Sequence, residues 1–188
     1  MAPLIALLDA NVLYPAELRS FLLYLAVTGI YQPRWSQEIH EEWIENLLVS
    51  RPDLTPAKLK RTRELMEKAA PDAMVRGYRN LIPKLALPDP DDRHVLAVAI
   101  HSKSRIIVTN NLRDFPAKIL GHFKIEAQSP DDFILQLFDL SAEDVLKAAE
   151  NHRLSLKNPP KTFPEYVQIL ESQGLVRTAN LLTRYAKR

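Results

Sequence analysis

The fold is indicated first by a short apolar stretch, Leu4-Ile5-Ala6-Leu7-Leu8, which is followed at once by Asp9. Five consecutive apolar residues without alternation are typical of a strand buried on both faces, as in a parallel sheet. The stretch Arg105-Ile106-Ile107-Val108-Thr109 has the same character and is rich in β-branched residues. Because helical patterns separate the two strands, the order of elements predicts a three-layer α/β/α fold with a central parallel sheet.

Helical spacing predicts the remaining elements. We expect helices over residues 15–27, 36–48, 55–69, 91–102 and 130–138, and a short strand over 123–127. The helix that contains residues 95–100 is apolar on all sides there and should be buried. Only helical patterns follow Ser141, over 142–153, 163–172 and 175–186. The chain is therefore divided into an α/β domain, residues 1–138, and a helical C-terminal extension, residues 139–188.

Composition excludes several classes of function. The chain has 188 residues, with 25 Lys and Arg against 23 Asp and Glu, so its net charge is only +2. Binding of nucleic acid by overall charge alone is excluded, whereas a local basic patch is not. The absence of cysteine excludes disulfides, thiolate zinc sites and cysteine nucleophiles. With no apolar run of membrane-spanning length and no basic flank before residues 4–8, we expect a cytoplasmic protein without a membrane partner.

Polar side chains follow both predicted strands. Asp9 comes directly after the first strand, and Thr109, Asn111 and Asp114 come at or after the end of the second. Asp92 begins the buried helix that precedes that second strand. Ligands of open parallel sheets bind at the carboxyl ends of the strands, and neighbouring carboxylates there repel each other unless a cation is present. Mg²⁺ and Mn²⁺ prefer such oxygen ligands.

Each of these residues also has a purely structural explanation. Asp9 and Asp92 are suitable helix or loop caps, and Asn11 is suitable for a turn. Capping alone does not require acids at three separate strand ends and helix starts, so their coincidence favours a site. Glu41 and Glu42 both lie at the border of the apolar face of the second helix, and periodicity does not choose between them.

Four motifs resemble those of PIN-domain nucleases, specifically the VapC-type toxins of bacterial and archaeal type II toxin–antitoxin pairs. They are LLDANVLYP (7–15), SQEIHEEW (36–43), DPDDRHVLAVA (89–99) and VTNNLRDFP (108–116). The resemblance covers residues 4–138 and implies a PIN-like fold. It also implies a metal-dependent endoribonuclease that uses Mg²⁺ or Mn²⁺ to hydrolyse RNA phosphodiester bonds.

The same resemblance implies roles for individual residues. The catalytic acids would be Asp9, Glu42, Asp92 and Asp114, of which Asp9, Asp92 and Asp114 would hold the metal. The supporting polar residues would be Asn11, Thr109 and Asn111. Many members of the family have Asp where this chain has Asn111. Because the side chain of Asn111 is neutral, this position adds no charge to the site.

Substrate and partners follow from the same hypothesis. Arg93 and Arg113, each next to a predicted metal ligand, are candidates for RNA binding, and Arg19 and Arg34 are weaker ones. An antitoxin is expected to cover the acidic site. The apolar first helix, with residues Phe21, Leu22 and Leu25, and the helical tail are the candidates to support that partner or a homodimer.

Other functions remain open at this point. The chain could be a catalytically weak or inactive PIN-like module that binds nucleic acid or a protein partner. Residues 163–186, with Gly174 between two helices, loosely suggest a helix-turn-helix, and Arg177, Arg184, Lys187 and Arg188 make its end basic. Packing of these helices on the core or on a partner is the stronger interpretation.

Three further classes of site fit the sequence poorly. His94 and His101 could share a helix face, but without a third ligand packing is favoured over zinc. A response-regulator receiver domain requires a phosphoacceptor aspartate and a lysine at the ends of two strands, and this sequence has no convincing pair. A haloacid-dehalogenase-type phosphatase lacks the second acid of Asp-x-Asp, since Asn11 stands there.

Overall fold

A computed structural model describes residues 4–186 and contains a four-stranded sheet with all neighbouring strands parallel. The strands, in the spatial order β2-β1-β3-β4, are β1 (Leu4–Leu8), β2 (Tyr31–Arg34), β3 (Ile106–Val108) and β4 (Glu126–Gln128). The predicted α/β fold with a central parallel sheet is confirmed. Because β1 and β3 are neighbours at the centre, the polar residues that follow them meet at one edge of the sheet.

Helices flank the sheet and continue beyond it. They are α1 (Ala10–Leu13), α2 (Ala16–Val27), α3 (Gln37–Ser50), α4 (Pro56–Ala69), α5 (Arg93–His101), α6 (Ala117–Leu120), α7 (Pro130–Leu140), α8 (Ala142–Ser155), α9 (Phe163–Ser172) and α10 (Val176–Ala186). Short 3-10 helices span Arg79–Lys84, Pro90–Asp92, Leu112–Asp114 and Gly121–Phe123. Among the described residues, no helix is long and apolar enough to cross a bilayer.

Side-chain caps explain where several helices begin. The hydroxyls of Ser36, Thr55 and Ser129 accept hydrogen bonds from backbone N–H groups in the first turns of α3, α4 and α7. Thr162 and Glu165 form a reciprocal capping box at the start of α9. The sequence signals for these helix starts were therefore sound to within one residue.

Two elements at the sheet edge were not predicted from the sequence. Strand β2 contains Pro33, which lacks a backbone donor and argues against a central strand. It lies at the edge of the sheet and pairs only with β1 among the named strands, where a proline is tolerated. The one-turn helix α1 begins at Asp9, whose carboxylate accepts a hydrogen bond from the N–H of Ala10.

The three apolar residues of α2 that were expected to support a partner or a homodimer are not accessible to one, so this part of the expectation was wrong. Phe21, Leu22 and Leu25 are fully buried within the chain itself. Helix α8 packs against α2, and the ring of His152 stacks on Phe21 with centroids 5.6 Å apart. The C-terminal helices thus cover the surface that the sequence left apparently free.

The C-terminal helices form one hydrophobic core with the rest of the chain. Tyr166 of α9 and Leu182 of α10 belong to the same buried cluster as the strands. The packing interpretation of these helices is therefore supported over an independent DNA-binding unit. Lys187 and Arg188 lie outside the described residues, and the domain boundary between residues 138 and 139 stays a prediction.

Candidate metal centre

The centre of the candidate site is Asp9, which side-chain and backbone hydrogen bonds hold at the end of β1. Its backbone N–H donates to the carbonyl of Val108 at 3.1 Å, which aligns the ends of β1 and β3. Its Oδ2 accepts hydrogen bonds from Thr109 Oγ1 at 2.8 Å and from Asn11 Nδ2 at 2.6 Å. Asn11 also donates to Thr109 and accepts from the N–H of Asn110, so it joins the two strand ends. Asn11 is therefore more than a turn residue.

Burial makes this carboxylate electrostatically unusual. Asp9 is only 4% exposed, and burial raises its pKa above the usual range. The hydrogen bonds from Thr109 and from the N–H of Ala10 oppose this increase, whereas the nearby charge of Glu42 adds to it. The fold therefore holds a carboxylate in an environment that disfavours its charged form.

A cluster of three further aspartates lies beside it. Asp89, Asp92 and Asp114 each offer a carboxylate oxygen within 4.8 Å of the others. Burial, followed by the charges of Asp9, Asp89 and Asp114, raises the pKa of Asp92 to about 6. Its Oδ2 is buried and has no hydrogen-bond partner among residues 4–186. The amide of Asn111 donates to Asp114 and holds that carboxylate.

This arrangement is suited to a cation. The donor atoms are carboxylate oxygens, which hard divalent ions prefer. The buried oxygen of Asp92 has no hydrogen-bond donor, and the neighbouring aspartates raise the pKa of this residue. A positive charge would relieve both. The acidic cluster is consistent with a metal site.

Glu42 faces a cleft of about 540 Å³ together with Asp9, Asn11 and Asp92. Helix α3 supplies Glu42, and the lining also includes Tyr14, which the sequence did not single out and whose hydroxyl is hydrogen-bonded to Ser50 of α3. Glu41, which periodicity could not distinguish from Glu42, is exposed and accepts a hydrogen bond from Gln37. The structure thus places Glu42, and not Glu41, in the lining of the cleft.

Three residues near the cleft were missed or misinterpreted. Asp89 was not singled out, yet its carboxylate joins the cluster and also caps the next turn. Glu38 was not singled out, and His94 was interpreted as a packing residue. Their side chains instead approach each other, and His94 Nε2 lies 2.6 Å from Glu42 Oε1. The run of acids around 89–92 was the signal that could have identified Asp89.

The basic candidates have different positions. Arg113 is exposed, whereas Arg93 is partly buried. Within the described residues, neither forms an ion pair with the acids. Arg19 is 8% exposed, donates to the carbonyl of Leu13 and lies over the ring of Trp43, so its proposed role in RNA binding is not supported.

The two histidines for which packing was favoured over zinc differ in environment. His94 is partly buried, whereas His101 is exposed.

Comparison with known proteins agrees with the fold. A family model described as PIN domain matches residues 6–113, which is more than half of the chain, and the chain belongs to this family. A second model, described as VapC50 C-terminal domain, matches residues 130–184.

One known protein is related to part of this chain. The chain is 42% identical over 71 residues to a Mycobacterium tuberculosis (strain H37Rv) protein described as "Putative ribonuclease VapC50". This match covers 38% of the chain and 41% of that relative. No solved structure matches the chain. The resemblance to PIN-domain, VapC-type proteins is confirmed.

Proposed function

We propose that this protein is a metal-dependent endoribonuclease that hydrolyses RNA phosphodiester bonds with Mg²⁺ or Mn²⁺. The observation that carries the proposal is the convergence of Asp9, Asp89, Asp92 and Asp114 at the carboxyl ends of β1 and β3. Their mutual repulsion costs stability unless it serves a ligand, and perturbed carboxylates in a cleft are typical of functional sites. Membership of the PIN-domain family supports the same chemistry.

The aspartates would hold the cation. In this proposal Asp9, Asp92 and Asp114 bind it, and Asp89 lies close enough to Asp92 to contribute. The bound cation would neutralise charge on the scissile phosphate and lower the pKa of the attacking water. Thr109 and Asn11 fix the orientation of Asp9, and Asn111 does the same for Asp114.

Glu42 and the arginines would act on the substrate. The Glu42 carboxylate lines the cleft and would accept a proton from the attacking water. Arg93 follows Asp92 and Arg113 precedes Asp114 in the chain. In this proposal both arginines contact the RNA backbone, and their positive charges offset the negative charge of the site.

We further propose that the protein is a toxin neutralised by a cognate antitoxin in the cytoplasm. The relation to a VapC50 protein and to the VapC50 C-terminal domain supports this role. The acidic cleft is open at its rim, so a partner that covers it would block the substrate. We retain residues 1–138 as the nuclease domain and 139–188 as the extension. A homodimer has no support from the α2 face, which is buried.

The test combines metal binding with cleavage. Purified protein is incubated with several structured RNAs in Mg²⁺, in Mn²⁺ and in EDTA, beside D9A and D92A, while Mn²⁺ binding is measured by calorimetry. We expect metal-dependent cleavage that is lost in both variants. Cleavage that persists in EDTA or in D9A would contradict the proposal. A folded wild-type protein that binds no Mn²⁺ would overturn it in favour of an inactive binding module.

A further inference from the structure

The ring of His94 lies between two glutamates of a different helix. His94 belongs to the first turn of α5, and Glu38 and Glu42 lie one turn apart on α3. Its Nε2 is 2.6 Å from Glu42 Oε1, and its Nδ1 is 3.8 Å from Glu38 Oε2. The His94 side chain is only 13% exposed, whereas that of Glu42 is 43% exposed. A buried ring therefore holds one oxygen of an exposed carboxylate.

The other side of this arrangement is fixed by a third segment. Tyr78 donates its hydroxyl proton to Glu38 Oε2 at 2.8 Å, and Arg79 pairs with Glu38 Oε1 at 3.0 Å. Glu38 is thus held by the first residue of the 3-10 helix Arg79–Lys84 and the residue before it, and this short helix packs against α5. The chain of contacts runs from Arg79 through Glu38 and His94 to Glu42 at the cleft.

Packing alone does not explain this geometry. His94 Nδ1 is buried and has no hydrogen-bond partner among the described residues, and such a group carries a cost that an apolar residue would avoid. What the histidine supplies is a directional donor to Glu42. An exposed glutamate without such a donor samples several rotamers and spends little time in any one of them.

We infer that His94 is a positioning residue that holds the Glu42 carboxylate in the cleft for its role as proton acceptor. This inference rests on the proposed nuclease function and identifies the residue on which Glu42 depends. Outer partners that orient a functional side chain typically contribute 10- to 100-fold to activity. Loss of the donor should therefore lower kcat about 10- to 100-fold, and KM and Mn²⁺ affinity should stay within about 2-fold because the aspartates are unchanged.

The test uses variants that separate the donor from the ring. H94Q keeps an N–H donor close to the place of Nε2, whereas H94N is polar but too short to reach Glu42. H94F keeps the ring size and has no donor. We expect H94Q to retain kcat within about 3-fold of the wild type, and H94N and H94F to lose about 10- to 100-fold. H101Q, a change in an exposed histidine of the same helix, serves as the control with unchanged kcat.

A double-mutant cycle with E42Q tests whether the effect of His94 on kcat depends on Glu42. If His94 acts through Glu42, H94N should cause no further loss of kcat in the E42Q background. Additive losses of kcat in the double variant, an impaired H94Q or a fully active H94N would each overturn the inference. RNA cleavage by the wild type would still uphold the proposed function in those cases. A wild-type protein that cleaves none of the RNAs would overturn both. Melting temperatures of all variants, measured in parallel, identify any loss of kcat that comes from unfolding.

Discussion

Two buried aspartates, Asp9 and Asp131, occupy opposite electrostatic environments. They are 4% and 8% exposed, respectively. Asp131 accepts hydrogen bonds from the N–H groups of Arg177 and Thr178, each at 2.9 Å, and from the Thr178 hydroxyl at 2.7 Å. The Arg177 side chain also lies 3.5 Å from it. Asp131 of α7 therefore caps α10, and its charge is satisfied by donors and by a cation.

Asp9 has donors too, but its charged neighbours are mainly acids. Thr109, Asn11 and the N–H of Ala10 donate to it, and the nearby charge of Glu42 opposes its ionisation. The charge of Asp9 in turn raises the pKa of Asp92, which lines the same cleft. Burial and hydrogen bonding are thus shared by both aspartates and do not mark a functional one. The accumulation of like charge around one of them does, because it costs stability in the absence of a ligand.

The largest expected effect comes from neutralising the two aspartates in parallel. D9N keeps the shape and most hydrogen bonds of the side chain but removes the charge that would hold a cation. We expect it to lower RNA cleavage at least about 1000-fold in Mn²⁺, a magnitude typical of removing a group on which the reaction depends. D131N should retain cleavage close to the wild-type rate. Initial rates on one RNA at a temperature far below melting make the comparison.

A D9N protein that cleaves at a tenth of the wild-type rate or faster would show that Asp9, like Asp131, is structural. The difference between the two regions would then have no functional meaning.

Removal of the Asp131 carboxylate, which caps α10, should lower stability and leave RNA cleavage intact. D131A leaves the N–H groups at the start of α10 and the buried Thr178 hydroxyl without their acceptor. We expect a loss of about 2–3 kcal/mol of unfolding free energy, which corresponds to a decrease in melting temperature of about 5–10 °C. Cleavage at low temperature should be preserved. Calorimetry checks the first expectation and RNA cleavage the second.

The neighbouring Asp132 provides the control for that prediction. It is exposed and pairs with Arg177 on the surface, so D132A should leave the melting temperature almost unchanged. Equal effects of D131A and D132A would mean that the cap does not stabilise the junction of α7 and α10.

The sequence predicts the sheet edge well, because the positions that matter there follow directly from strand order. Asp9 and Thr109 come at the ends of β1 and β3, and parallel strands bring such ends together. Asp92 is found in the same way, from the start of the buried helix. These inferences need only local patterns and one rule of topology.

The remaining features depend on packing between distant segments. Periodicity shows the face of α3 on which Glu42 lies, but the contact with His94 joins residues that are 52 positions apart in the chain. An apolar helix face such as that of α2 looks the same whether a partner or a later helix of the chain covers it. Here α8 does so, and only the three-dimensional structure reveals this.

The smallest of the expected effects concerns the pH dependence of stability without metal. Burial and neighbouring acids raise the pKa of Asp92 to about 6, whereas in the unfolded chain it should lie near its usual value of about 3.9. The folded state therefore favours the protonated form. The resulting contribution to stability is complete below pH ~4 and is lost as the pH rises through ~6. D92N lacks this titration and should gain in stability relative to the wild type over the same range.

In EDTA, we expect the melting temperatures of D92N and the wild type to agree near pH 4 and to differ by about 2–4 °C at pH 7, with D92N the more stable. This corresponds to about 1 kcal/mol, a value reduced to allow for the partial exposure of Asp92. Mn²⁺ at pH 7 should stabilise the wild type more than D92N, since it binds the ionised cluster. D139N, a change in an exposed aspartate of α7, should show neither effect. A difference between D92N and the wild type that is constant from pH 4 to pH 7 would mean that the acids at the sheet edge do not repel each other. The contrast between Asp9 and Asp131 would then lose its electrostatic basis.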